Sequence, residues 1–209
     1  MIREQINKRL KEKNETRPVT SWHPSKLGNC LTGVYLERAG VEPDREFDSQ
    51  TLLNFWLGRT YEKAIADLLS DDYEWQVPVK WPEYDISGKI DTLYLIDGMP
   101  HEIKSTNTDA FNRIKSNGPQ KQHQMQLWVY LKCLEKPEGN LMYGDRGWGG
   151  TEEFQVLLED KELEKSVMEE LEILKSAWEN KLPPKPRDEP WFEKYCRWHK
   201  SCKSQTKYL

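Results

Sequence analysis

Residues 88–106, GKIDTLYLIDGMPHEIKST, set an aspartate, a glutamate and a lysine (Asp91, Glu102 and Lys104) among apolar neighbours. Carboxylates and ammonium groups drawn into a core are costly unless they pair with each other or hold a metal. In a strand, residues two apart share a face, so Glu102 and Lys104 stand side by side. A hairpin turned at Asp97-Gly98 brings Asp91 beside them. Two adjacent carboxylates repel unless a cation lies between them. Oxygen donors of this kind suit Mg²⁺ or Mn²⁺, with waters and a substrate phosphate completing the shell. A neighbouring lysine can orient a water and stabilise developing negative charge. That chemistry is phosphodiester hydrolysis. The same three residues also suffice for a cross-strand salt bridge on a solvated sheet face, worth at most about 1 kcal/mol, and by themselves they favour that plainer arrangement.

The elements that must position these groups are readable in outline. Residues 2–14 predict a short polar helix, 31–40 a second helix ending at Gly40, and 51–71 a long helix with Leu53, Trp56, Leu57, Ile65, Leu68 and Leu69 at helical spacing. Strand signals follow over 73–81, 86–96 and 99–106. Two helices, 107–117 and 119–136, are divided at Gly118-Pro119. Strands over 140–146 and 152–160 flank a Gly-rich turn, and 161–181 predicts a long amphipathic helix. The order predicts an α/β fold, a sheet layered with helices and no internal repeat.

The bulk properties narrow the class. At 209 residues the chain fits one medium domain. With 36% hydrophobic and 11% aromatic residues it is globular rather than disordered. No apolar run reaches the roughly 18 residues of a membrane span, and the first residues lack the apolar stretch of a signal peptide, so the expected location is cytoplasmic with no membrane partner. The formal charge of −4 advertises no large electrostatic footprint for nucleic acid. The first 17 residues are nevertheless basic, with Arg3, Lys8, Arg9, Lys11, Lys13 and Arg17 against Glu4, Glu12 and Glu15, which describes an exposed helix face or a binding arm.

Gly88-Lys89-Ile90-Asp91 followed by Glu102-Ile103-Lys104 resembles the signature of the PD-(D/E)XK nuclease superfamily. Gln126-X-X-X-Tyr130, one helical turn apart, resembles the Q-X-X-X-Y motif of its RecB-like branch. Upstream, Gly58 followed after three residues by Glu62 resembles that branch's first motif, whose ligand is commonly His. The three blocks keep the branch's order over about residues 20 to 205. The resemblance implies a restriction-endonuclease-like core with a mixed central sheet flanked by helices. It implies a single domain over 1–209, in which residues 1–48 and 183–209 form a Cys-containing N-/C-terminal subregion. It further implies that Glu62, Asp91, Glu102 and the backbone carbonyl of Ile103 hold Mg²⁺ or Mn²⁺. Lys104 would position the attacking water, and Gln126 and Tyr130 would steady the DNA. The expected activity is a metal-dependent deoxyribonuclease, an exonuclease on DNA ends or single strands, serving recombination, repair, phage DNA metabolism or CRISPR adaptation. A helicase, recombinase or integrase is an expected partner. The alternative is a catalytically inactive or partner-dependent DNA-binding scaffold of the same fold.

The four cysteines are not expected to form disulfides in a reducing compartment. Cys30, with Cys196 and Cys202 in the tail, resembles the iron–sulfur subgroup of the branch, which includes AddB and CRISPR-associated nucleases. There one N-terminal Cys and a C-terminal C-X2-C-X5-C hold a [4Fe-4S] cluster. The X5 spacing matches, but the remaining position is Glu193. The site therefore holds a cluster with Glu193 or an outside ligand at the fourth iron, or Zn²⁺ with His199 as the fourth ligand, or nothing. Cys133 is expected in the core. His23 is expected to cap or orient the helix that follows it, His101 to point to the opposite sheet face, and His123 to face DNA or solvent.

Overall fold

The computed structural model describes residues 1–14, 18–186 and 196–205. In chain order these form α1 (Ile2–Lys13), α2 (Leu31–Arg38), α3 (Ser49–Ala66), β1 (Tyr73–Trp81), β2 (Ile86–Tyr94), β3 (Pro100–Thr106), α4 (Thr108–Asn117), α5 (Lys121–Leu134), β4 (Glu138–Asp145), β5 (Thr151–Leu157), α6 (Lys161–Glu179) and α7 (His199–Gln205). The strands make one sheet in the order β1-β2-β3-β4-β5. Every neighbouring pair is antiparallel except β3–β4. A parallel pair cannot be joined by a tight turn, and α4 and α5 supply the crossover. This is the mixed sheet flanked by helices that the sequence predicts. No helix among the described residues is long and apolar enough to cross a membrane.

Two elements differ from the sequence expectation. Strand β2 stops at Tyr94 instead of continuing through Ile96. The hairpin closes through Tyr94 N–H to Met99 O (2.9 Å) and Gly98 N–H to Tyr94 O (2.7 Å), so Leu95 and Ile96 lie exposed in a longer turn. Gly98 takes the left-handed conformation (φ 71°) that this turn needs. The helix expected over 51–71 instead begins at Ser49 and ends at Ala66. Its start moves because the Asp48 carboxylate accepts from Thr51 N–H at 2.7 Å, a side-chain cap that apolar periodicity does not register.

The chain divides into two compact units. One, residues 21–28 and 60–172, contains the sheet, α4 and α5. Helix α5 packs against β1, β3, β4 and β5, and all seven of its residues from Met125 to Leu131 are buried. This explains its sequence, since a helix buried all round loses the polar stripe of a surface helix. Trp128 finds a partner for its indole N–H in the Leu158 carbonyl, 3.0 Å away.

The other unit, residues 1–20, 29–59 and 173–209, contains α1, α2 and α7. Its described C-terminal residues are clasped by the loop after α2. Asp44 accepts from Lys200 N–H (2.6 Å), Ser201 N–H (3.0 Å) and the Ser201 hydroxyl (2.8 Å), capping the start of α7 from outside the helix. Trp198 donates to the Val41 carbonyl at 2.8 Å, and the Arg197 guanidinium lies 4.1 Å from the centre of the Phe47 ring. Removing a helix cap costs about 1 kcal/mol. Asp44→Ala is therefore expected to lower thermal stability by about that amount, and Asp44→Asn by less, as measured by circular dichroism melting.

Candidate active site

The site forms where β2 and β3 part. Their ladder pairs Thr92 with His101 and Leu93 with Pro100. At the next position Asp91 Oδ2 accepts from the Ile103 N–H at 2.8 Å, taking a bond that a continuing ladder would have used. A side chain that replaces backbone pairing holds both strands and fixes its own carboxylate. On the other side of β2, the register runs Trp75 to Thr92 and Val77 to Ile90, so Gln76 lies opposite Asp91. Its amide donates to Asp91 Oδ1 at 3.2 Å. Gln76 adopts φ 56°, a left-handed conformation unusual for a residue other than Gly and, inside a strand, a mark of local strain.

Glu102 follows on β3 and is almost completely buried. Its Oε1 accepts from Lys104 Nζ (2.5 Å) and from Gln126 Nε2 on α5 (2.6 Å). The same Gln126 nitrogen donates to the Tyr130 hydroxyl at 3.2 Å, so the glutamine joins the tyrosine one turn on to the glutamate. Gly88 permits this approach. A Cβ there would lie 3.0 Å from Pro24 Cδ and 3.3 Å from Tyr130 Cε1, closer than most such contacts allow. His23 Nδ1 donates to the Ser87 carbonyl at 3.0 Å, which ties the short turn at Pro24–Lys26 to β2.

Charge and burial oppose each other here. Burial pushes the Glu102 carboxyl up to about 8 against the pull of Lys104, and Asp91 and Glu62 push in the same direction as burial. Asp91 is also raised, by burial, although Lys104, the Ile103 N–H and Gln76 favour its ionised form. Burial would lower Lys104, yet Glu102 and Asp91 together outweigh it and hold the ammonium above its ordinary range. Among the described residues, Glu102 Oε2 is buried with no hydrogen-bond partner. An orphaned carboxylate oxygen beside a second buried carboxylate is a costly arrangement that a cation would relieve.

The donor set fits a small hard cation in that respect. Mg²⁺ is commonly held by one or two carboxylates, with water and substrate phosphate filling the other positions. Glu62 lies within electrostatic reach of Glu102 and Lys104. Among the described residues, however, no three His, Cys, Asp or Glu side chains gather closely enough to hold an ion. The structure thus joins Glu102, Lys104, Gln126 and Tyr130 by hydrogen bonds, holds Asp91 to the same strand through the Ile103 N–H, and keeps Glu62 within electrostatic reach.

Gln76, Tyr143 and His123 join the network's surroundings without being nominated by the sequence pattern. Tyr143 on β4 pairs in register with Lys104. Its hydroxyl accepts from Gln120 N–H (3.1 Å) and lies 2.8 Å from His123 Nδ1. His123 is thus held within the fold, and burial together with Lys104 lowers its pKa to about 3, keeping it neutral. His101 turns away from this cluster and packs edge-on against Tyr73.

Burial pushes the Cys202 thiol up to about 11, and the nearby Cys30 and Cys196 add to it. Among the described residues, no three His, Cys, Asp or Glu side chains around these thiols gather closely enough to hold a metal ion. His199 opens α7, whereas Glu193 lies outside the described residues. Cys133 is half-buried on α5, and burial raises its thiol to about 11.

No protein-family model matches the chain, and no curated protein matches it. Solved structures do. The crystal structure of SSO0001 aligns with a TM-score of 0.65 at 21% identity, over 98% of this chain and 98% of that one. The alkaline exonuclease LHK-Exo from Laribacter hongkongensis aligns with a TM-score of 0.53 at 15% identity, over 77% of this chain and 92% of that one. Its complex with dAMP gives 0.55 at 15% identity, over 81% and 97%. At these identities the likeness is one of fold, and the fold this chain shares with them is a nuclease-like α/β fold.

Proposed function

We propose that this chain is a divalent-metal-dependent deoxyribonuclease of the PD-(D/E)XK type, RecB-like branch, acting on DNA ends or single strands. The observation that carries the reading is the buried Asp91–Glu102–Lys104 set, tied to Gln126 and Tyr130 and ending in an unpartnered Glu102 oxygen. A salt bridge on a solvated sheet face would leave these groups exposed, yet Asp91 and Glu102 are buried. The likeness in fold to an alkaline exonuclease supports nuclease chemistry.

In this reading Asp91, Glu102 and the Ile103 carbonyl hold Mg²⁺ or Mn²⁺, with Glu62 drawn in as a further oxygen donor. When bound, such a cation lowers the pKa of water and neutralises charge on the phosphate. Lys104, already held by Glu102, orients the water and offers a proton donor to the developing negative charge. Gln126 fixes the Glu102 rotamer. Tyr130 accepts from Gln126 and keeps its own proton, since burial and Glu102 raise its pKa. That proton is available to a phosphate oxygen of the bound strand. At Cys30, Cys196 and Cys202 the reading places an iron–sulfur cluster ahead of zinc, with its fourth corner supplied by Glu193 or an outside ligand, and its support is the X5 spacing from Cys196 to Cys202.

The test is digestion of one DNA sequence as a linear duplex, a linear single strand and covalently closed circles, with Mn²⁺, Mg²⁺ or EDTA. Loss of the linear forms with the circles intact is the expected result. Cutting of circles makes the enzyme an endonuclease, and no cutting with any metal leaves a scaffold or a subunit that cuts only with a partner.

A further inference from the structure

The first helix carries an apolar and basic face that the proposed chemistry does not use. Within the unit containing α1 and the start of α3, a groove of about 960 Å³ runs between them. Leu10, the only buried residue of α1, and Leu53 form its floor, and Ile6 and Trp56 remain partly exposed at 46% and 39%. Among the described residues, Lys8, Arg9 and Lys13 line it against one acid, Glu12, which Arg9 approaches to 3.0 Å and Lys8 to 3.9 Å. Arg9 and Lys13 are one turn apart, so both present their charge along the same edge.

From this we infer that the α1–α3 groove binds single-stranded nucleic acid, with a base on the Trp56 indole and phosphates along Arg9 and Lys13. Three cations to one anion repel a basic partner, and an exposed indole flanked by cations is the combination that holds single strands without regard to sequence. The chain's overall charge of −4 makes a local basic groove the more selective feature. The inference rests on the reading of DNA as substrate and gives that substrate a second contact.

Fluorescence anisotropy of a labelled oligo-dT of about 20 nucleotides tests it, with EDTA present and full-length Lys104→Ala protein as parent. Trp56→Ala is expected to weaken binding about tenfold, with Trp56→Phe retaining most of it. Arg9→Glu with Lys13→Glu is expected to lower the slope of log K against log salt by about 1.4, at about 0.7 per phosphate contact. Circular dichroism confirms that each variant is folded. Folded variants that bind as the parent does overturn the inference. So does a dimer that Ile6→Glu dissolves while DNA binding is unchanged, because the groove then receives a second copy. Should the wild type cut no DNA while these variants still lose binding, the groove stands and the nuclease reading falls. Should it cut normally while they bind normally, only the groove falls.

Discussion

Metal-free protein is expected to lose stability as the pH rises from about 5 to 8, and Glu102→Gln is expected to remove most of that loss. The Glu102 carboxyl is pushed from its ordinary 4.5 up to about 8 in the folded chain, chiefly by burial. A group whose folded pKa is raised binds more protons in the folded state between those two values. Its contribution is therefore fully present below about 4.5 and is lost as pH rises through about 8. Asp91, also raised, contributes with the same sign. The combined effect is on the order of a few kcal/mol. The glutamine variant would keep the shape and the acceptor for Lys104 and Gln126 but would not titrate. A divalent cation should reverse the trend in the wild type. At a hundred times its dissociation constant, a ligand specific to the folded state adds about 2.7 kcal/mol, or several degrees in melting temperature at this chain length. Thermal melts of both proteins at pH 5 and 8, with EDTA or Mn²⁺, make the comparison, and the variant should show little Mn²⁺ shift.

Lys104→Ala is expected to lower single-turnover cutting by at least about a hundredfold while leaving DNA binding within twofold. Removing one preorganised donor to developing charge costs about 10²–10³ in rate. The Lys104 side chain is one-fifth exposed while its partner Glu102 is nearly fully buried, which places the lysine at the open side of the pair. Lys104→Arg should recover little, because a planar guanidinium does not reproduce the compact charge or its 2.5 Å bond to Glu102. Rates measured with saturating Mn²⁺ separate this effect from weakened metal binding.

The sequence and the structure agree best where chemistry follows local pattern. Strand alternation put Glu102 and Lys104 on one face, and helical spacing put Gln126 beside Tyr130. Both relations depend only on the backbone repeat, and both appear as hydrogen-bond geometry. Gln76 escaped because its role depends on which β1 residue lies opposite Asp91, a register that β1 alone does not encode. Tyr143 escaped for a longer-range reason: it meets Lys104 only because β4 returns parallel to β3 after two helices. His123 read as a residue for solvent or DNA, and its tie to Tyr143 follows from the same crossover. The early start of α3 came from a cap at Asp48, and the long hairpin turn came from Leu95 and Ile96 staying outside the ladder. Apolar periodicity is blind to both.

Whether the Asp91–Glu102–Lys104 network hydrolyses DNA with a divalent cation is decided by one comparison. End-labelled linear DNA is digested by wild-type and Lys104→Ala protein side by side, with Mn²⁺ or EDTA. Cutting by the wild type in Mn²⁺ is expected, with none in EDTA and near-complete loss in a folded variant that still binds DNA. Equal cutting by the two proteins, or a folded wild type that cuts under no metal, would remove the network from the chemistry.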